Sequence, residues 1–133
     1  MKPTALVFGC TGQDGSYLCK SLIEKGFKVI GTSRKRKPNV KRLRALQIER
    51  NLKVLRCDLQ DCEQIKQIIT TFAPEEIYNL SAQSSVGISF KEPAETHKSI
   101  VSSTINILET CREIDFKGNI FFAGSSEIFG STS

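Results

Sequence analysis

The chain has 133 residues, of which 39% are hydrophobic and 25% are charged, a composition typical of one folded domain and not of a disordered or collagen-like chain. Nineteen lysines and arginines against 14 aspartates and glutamates give a formal net charge of +5. No apolar run approaches the ~20 residues needed to cross a bilayer, and the N-terminus lacks a signal peptide's apolar stretch, so we expect a cytoplasmic protein with no membrane contact.

Short apolar runs alternate with amphipathic stretches along the whole sequence. The runs predict strands, and the stretches with apolar residues three or four positions apart predict helices. In chain order the predicted elements are a strand at 5–8, a helix at 13–25 ended by Gly26, a strand at 27–32, a short helix at 40–50, a strand at 53–57, a helix at 61–72, a strand at 76–80, a helix at 94–114 and a strand at 119–123.

This alternation predicts an α/β fold with a doubly wound, Rossmann-like parallel sheet, because parallel strands need crossover connections. Right-handed crossovers favour the strand order 3-2-1-4-5 in three αβα layers. We expect residues 1–133 to form one domain. The fifth strand would have a bare outer edge, which favours either self-association or a chain that continues beyond Ser133.

A glycine-rich turn joins the first predicted strand to the first helix. Its spacing is Gly-x-x-Gly-x-x-Gly. The first glycine allows a tight turn, the second lets backbone N–H groups approach a pyrophosphate, and the third lets the helix pack closely on the strand. The helix N-terminus adds N–H donors and partial positive charge. The predicted cofactor-binding residues here are Gly9, Thr11, Gly12, Gln13, Asp14 and Gly15.

The end of the second predicted strand indicates which dinucleotide is bound. An NAD-binding domain usually has an acidic residue there, which accepts a hydrogen bond from the ribose 2′-hydroxyl. This chain has Arg34, Lys35 and Arg36 instead. Because guanidinium and ammonium groups donate to a 2′-phosphate, we predict NADP(H) as the cofactor, with Arg34 and Lys35 in contact with it.

Candidate residues also follow the third strand. Asp58 could accept a hydrogen bond from the adenine amino group, and Leu59 could pack on the ring. The alternative is that Asp58 caps the helix that begins near Asp61. The residues alone leave both interpretations open.

Small and polar residues follow the fourth and fifth strands. Leu80, Ser81, Ala82 and Ser84 would leave room for a ribose and a nicotinamide beside the point where the strand order reverses. The hydroxyls and carboxylate of 125–127 would face the same crevice.

Positive charge is concentrated between Arg34 and Arg56, a segment with ten basic residues and one acidic residue, Glu49. Such a segment is either a solvated surface or a patch that meets phosphates. No recognised nucleic-acid-binding motif accompanies it, so we expect no nucleic-acid partner.

The five cysteines are scattered and odd in number, and the chain has one histidine, His97. No Cys-x-x-Cys pair is present, so we expect no metal site and predict free, mostly buried thiols. The cysteines are Cys10, Cys19, Cys57, Cys62 and Cys111.

Together these motifs resemble the extended short-chain dehydrogenase/reductases, and among them the GDP-mannose 4,6-dehydratases. The stretches that carry the resemblance are 9–18, 31–34, 57–59, 78–84, 86–93 and 125–130. The resemblance implies a sugar-nucleotide lyase with bound NADP that acts on GDP-mannose. In that family a Tyr-x-x-x-Lys pair deprotonates the C4 hydroxyl as hydride leaves, a glutamate removes the C5 proton, and water is lost from C6.

The same resemblance assigns Ser125 to the hydroxyl that assists the tyrosine and Glu127 to the C5 base. Ser125 stands where threonine is usual in the family, and Ser85 stands where histidine is usual, as in the related keto-sugar reductases. The chain's only tyrosines, Tyr17 and Tyr78, are not followed four positions on by lysine, so the Tyr-Lys pair is absent.

We therefore expect 1–133 to be the cofactor-binding front of a longer dehydratase, inactive alone. A reductase or epimerase of the same family is one alternative, although Glu127 favours the dehydratase. A non-catalytic NADP-binding module is the other.

Overall fold

The computed structural model describes residues 2–35, 37–80 and 93–122, with the backbone alone described for 93–101. In this part of the chain, strands and helices alternate. The strands are β1 (Thr4–Phe8), β2 (Lys28–Ser33), β3 (Leu52–Arg56), β4 (Glu76–Asn79) and β5 (Asn119–Phe122). The helices are α1 (Gln13–Glu24), α2 (Lys41–Ala45), α3 (Cys62–Phe72) and α4 (Pro93–Glu113), with a 3₁₀ turn at Glu49–Asn51.

The five strands form one parallel sheet in the order β3-β2-β1-β4-β5, which confirms the predicted topology. Because the strands are parallel, all their carboxyl ends lie at the same edge of the sheet. The segments that follow β1, β2, β3 and β4 therefore meet there, and these segments contain most of the predicted cofactor-binding residues.

Both faces of the sheet are buried, and β1 shows how. Its side chains alternate between the faces. Leu6 and Phe8 lie in the apolar cluster that includes α3 and α4, whereas Ala5 and Val7 lie in the cluster that includes α1 and α2. All four are fully buried. A central strand covered on both sides needs a continuous apolar run, and the sequence at 5–8 supplies it.

The predicted helix at 40–50 is wrong in its length, because α2 ends after five residues. Gln47 adopts a left-handed conformation with φ of 61°, and the N–H of Ile48 donates to the carbonyl of Leu43 at 3.0 Å. This is the Schellman pattern of helix termination, in which residues on either side of the turn share an apolar contact. Leu43 and Ile48 are both buried in the cluster that includes α1 and α2, so burial of Ile48 favours the turn over a longer helix.

Helix α4 is the longest element, with 21 residues. Within the described residues, no helix combines the length and apolar character that crossing a membrane requires. Ile107 on its inner face is fully buried against α3 and the sheet, whereas Ile105, two positions earlier, is 51% exposed.

These two isoleucines give a matched test of the core. We expect Ile107→Ala to lower the free energy of unfolding by roughly 2–5 kcal/mol, because it leaves a cavity. Ile105→Ala on the same helix should change it by less than about 0.5 kcal/mol. Urea denaturation followed by circular dichroism measures both values, and equal losses would contradict the assigned packing of α4.

Candidate functional site

The candidate site lies where the ends of β1, β2 and β4 are joined by backbone hydrogen bonds. The N–H groups of Gly9 and Cys10 both donate to the carbonyl of Thr32 at 3.1 Å. The N–H of Leu80 donates to the carbonyl of Phe8 at 2.9 Å. These bonds extend the sheet beyond its strands and fix the start of the glycine-rich loop relative to its neighbours.

Two glycines of the loop are required by the protein's own geometry. Gly9 has a φ of 85°, a conformation that side chains disfavour. A Cβ atom at Gly15 would clash with the Gly9 carbonyl oxygen and lie 3.0 Å from the carbonyl carbon. The first turn of α1 can therefore approach the end of β1 only because both positions lack a side chain.

Gly12 is different, because no protein atom would clash with a side chain at this position. Its φ is −73°, and a Cβ atom there would meet nothing closer than the Gly9 carbonyl oxygen at 3.7 Å. Gly12 is the N-cap of α1, and no side chain caps the helix within the described residues. The first N–H groups of α1, which include those of Gln13 and Asp14, therefore follow a position without a side chain, which leaves room for an anion at this N-terminus.

Cys10 follows Gly9 in the glycine-rich loop and contributes no charge to it. It is fully buried, and it packs where Gly31 of β2 has no side chain, since a Cβ at Gly31 would lie 2.6 Å from the Cys10 Cβ. Burial raises the pKa of the Cys10 thiol to about 12, although its backbone hydrogen bond lowers it. The thiol is therefore neutral at physiological pH and does not repel an anion in the loop.

The predicted cations Arg34 and Lys35 follow β2 directly, and both are exposed. The N–H of Lys35 donates to the hydroxyl oxygen of Ser33 at 3.3 Å, so the buried Ser33 shapes the turn that carries them. Neither cation forms an ion pair within the described residues. Ser33 is a residue that sequence reasoning missed, although a serine at a strand end is a common signal for such a turn.

The hydrogen bonds of the loop after β3 rule out one of the two interpretations of Asp58. Asp61, not Asp58, caps α3, because its carboxylate accepts from the Glu63 N–H at 3.0 Å. The Asp58 carboxylate accepts from the Gln60 N–H at 2.9 Å and is exposed. Capping is therefore the wrong interpretation of Asp58, and its contact with adenine stays a prediction.

The strand order arranges these groups in a line along the edge. Asp58 and Leu59 lie at β3, Arg34 and Lys35 at β2, the glycine-rich loop at β1, and Leu80 at β4. With strands about 4.8 Å apart, the line from β3 to β4 is roughly 14 Å long, a span suited to an extended dinucleotide. The other predicted site residues lie outside the described residues, namely Ser81, Ala82, Ser84, Ser125 and Glu127.

Tyr78 of β4 lies near the site but is not poised for proton transfer. Its hydroxyl donates to a Glu76 carboxylate oxygen at 2.6 Å, and its ring stacks on Phe121 with centroids 4.8 Å apart. Burial and the bond to Glu76 both raise the pKa of Tyr78, so the phenol stays protonated.

A family model described as GDP-mannose 4,6 dehydratase matches residues 6–133. The chain belongs to this family. GDP-mannose 4,6 dehydratase 1 of Arabidopsis thaliana is 37% identical over 139 residues, which cover 96% of this chain and 38% of that protein. The GDP-mannose 4,6-dehydratase of Vibrio cholerae serotype O1 is 36% identical, over 97% of this chain and 37% of the relative. The chain thus spans less than half the length of these dehydratases.

The fold of this dehydratase-family chain also matches solved structures. The UDP-glucose 4-epimerase of Stenotrophomonas maltophila, crystallised with bound NAD and a formylated UDP-arabinopyranose, superposes with a TM-score of 0.79. At 22% identity, over 92% of this chain and 37% of the epimerase, the likeness concerns the fold alone.

Two glycine substitutions test the loop geometry without any ligand. We expect Gly15→Ala to destabilise the fold by roughly 1–3 kcal/mol or more, because the new methyl group meets the rigid backbone at Gly9. Gly12→Ala should cost less than about 1 kcal/mol, because its methyl group has room and only N-cap preference changes. Thermal unfolding compares the two variants, and a Gly12→Ala loss as large as that of Gly15→Ala would contradict the geometry.

Proposed function

We propose that this chain is the NADP-binding part of a GDP-mannose 4,6-dehydratase. The single observation that carries the proposal is the N-terminus of α1. It has no side-chain cap and begins at Gly12, where no side chain blocks an approaching anion. The N–H groups and the helix dipole of such an N-terminus favour a pyrophosphate. Its position at the carboxyl edge, where the strand order reverses, is the usual dinucleotide site of this fold.

The choice of NADP over NAD rests on the end of β2. Arg34 and Lys35 are exposed, lie beside the loop and have no acidic partner within the described residues. A 2′-phosphate would accept charge-assisted hydrogen bonds from them, and these bonds are stronger than neutral ones. A ribose 2′-hydroxyl would find no carboxylate in the positions described after β2.

The cofactor preference can be tested by removing one positive charge at the carboxyl edge of the sheet and, as a control, one at the opposite edge. Arg34→Ala should weaken NADP binding roughly ten- to hundredfold and leave NAD binding within about twofold, because only NADP carries the 2′-phosphate. Arg50→Ala is the matched control, since Arg50 is also exposed but precedes β3 at the opposite edge. Isothermal titration calorimetry measures the constants. Tighter binding of NAD than of NADP to the unaltered chain would refute the assignment.

The proposed reaction is the conversion of GDP-mannose to its 4-keto-6-deoxy product. When bound, NADP supplies the chemistry of accepting hydride from the sugar and returning it later. We propose that Glu127 removes the C5 proton, which the 4-ketone makes acidic, and that Ser125 supplies the hydroxyl that assists the tyrosine of a Tyr-x-x-x-Lys pair. Both roles come from the family resemblance.

The described tyrosines explain why the isolated chain should not catalyse this reaction. Neither Tyr17 nor Tyr78 is followed four positions on by lysine, and the Tyr78 hydroxyl is bonded to Glu76, so neither forms the Tyr-Lys pair. This observation favours a second candidate function, a non-catalytic NADP-binding module. The two proposals share the cofactor site and differ in whether a catalytic region is joined to it.

Turnover by the chain itself distinguishes binding from catalysis. We expect the purified 133-residue protein to bind NADP and to form no detectable 4-keto product from GDP-mannose. Liquid chromatography with mass spectrometry detects the product, whose mass is that of GDP-mannose less one water. Product formation by this protein would show that the Tyr-Lys pair is dispensable here and would contradict our account of the catalytic groups.

We also propose a cytoplasmic protein that forms homo-oligomers and binds neither membrane nor nucleic acid. The outer edge of β5 supports self-association, because within the described residues this strand pairs only with β4. The proposal against a nucleic-acid partner rests on the sequence, which has no recognised nucleic-acid-binding motif.

A further inference from the structure

The loop after β3, residues 57–61, receives a hydrogen bond from a distant helix. The side-chain amide of Asn106 on α4 donates to the carbonyl oxygen of Leu59 at 2.8 Å. Asn106 is half-buried, and the next residue, Ile107, is fully buried in the core. The packing of α4 therefore fixes where the Asn106 amide lies.

The other bonds of this loop shape it without tying it to α4. The Asp58 N–H donates to the Gln64 side-chain oxygen at 2.9 Å, and the Asp58 carbonyl accepts from the Asp61 N–H at 2.9 Å. The N–H of Cys57 donates to the Ser33 carbonyl at 2.9 Å, which joins the start of the loop to β2. Leu59 lies two residues further on, where the bond from α4 holds the chain.

The position of Leu59 determines two predicted contacts with adenine. The Leu59 side chain packs partly against the core cluster of α3 and α4, so the residue cannot move without changing that contact. The Asp58 carboxylate belongs to the preceding residue and moves with the same peptide. A neutral amide donor holds the Leu59 carbonyl without placing positive charge beside Asp58, which a lysine or arginine in its place would do.

We propose that Asn106 is a positioning residue for the adenine of the cofactor, acting through the carbonyl of Leu59 to hold Asp58 and Leu59 in place. The inference rests on the proposed function, because the adenine contact is part of it. Asn106 itself need not touch the cofactor. Sequence reasoning assigned no role to Asn106 or to α4 in the site.

The test compares two probes that differ only in the purine, NADPH and reduced nicotinamide hypoxanthine dinucleotide phosphate, whose C6 carries a carbonyl oxygen in place of the amino group and whose N1 carries a hydrogen. We expect the Asp58 carboxylate to accept a hydrogen bond from the amino group at C6 of NADPH and to be repelled by the carbonyl oxygen at C6 of the analogue. We expect the unaltered chain to bind NADPH more tightly than the hypoxanthine analogue. Asn106→Leu should reduce this preference on the order of tenfold, mainly by weakening NADPH binding. Asn106→Asp, which is closer in size but lacks the donor, should do the same.

Glu113→Gln is the control on the same helix. It weakens the 2.7 Å ion pair between Glu113 and Lys66. This ion pair joins α4 to α3 and makes no contact with the loop. We expect the substitution to leave the preference for NADPH unchanged, even if it lowers the melting temperature as much as the Asn106 variants do.

Amide hydrogen exchange without cofactor gives a second readout. The Asn106 variants should accelerate exchange in 57–61 and leave the amides of β1 and β2 protected, because the loss is local. Glu113→Gln should change neither.

Two outcomes would overturn the proposal. One is an unchanged preference for NADPH in both Asn106 variants, including the case in which both dinucleotides bind equally more weakly, which indicates a merely structural role. The other is unchanged exchange at 57–61. If the unaltered chain bound neither dinucleotide, the proposed function itself would fail and the inference with it. If the unaltered chain binds both while the variants keep its preference, the inference alone is wrong.

Discussion

The contact between the first turn of α1 and the end of β1 is the constraint on which the site depends. Gly15 has no room for a Cβ atom against Gly9, and Gly9 itself needs a left-handed backbone. This close approach brings the helix N-terminus to the edge where the parallel strands end. Gly12 then leaves that N-terminus uncovered. One steric requirement thus produces both the local fold and the positive end of a helix dipole at the candidate phosphate site.

The surroundings of the loop keep this electrostatic arrangement favourable to an anion. The neutral thiol of Cys10 fills the space above Gly31, so the loop is supported by packing and not by a charged group. The exposed cations Arg34 and Lys35 add positive potential on the β2 side. The described residues directly after β2 include no acidic side chain, whereas the first turn of α1 includes the exposed Asp14, whose backbone N–H but not its carboxylate suits a phosphate.

The strand order converts these separate features into one elongated site. The residues proposed to contact adenine, a 2′-phosphate, a pyrophosphate and a nicotinamide ribose follow β3, β2, β1 and β4, and these strands are neighbours in that order. Helix α4 comes from the other half of the chain, yet Asn106 reaches the loop after β3. The half of the sheet that contains β4 and β5 is thus connected to the loop that follows β3 in the other half.

The sequence alone determined the sheet order, because short apolar runs alternating with amphipathic stretches allow few right-handed parallel arrangements. It also located the loop at Gly9, since glycine spacing reports backbone geometry directly. Only the tertiary structure showed that Asp61 and not Asp58 caps α3, and that burial of Ile48 shortens α2. The bond from Asn106 was likewise beyond the sequence, because it joins residues 47 positions apart, and such a contact exists only once α4 has packed on the sheet.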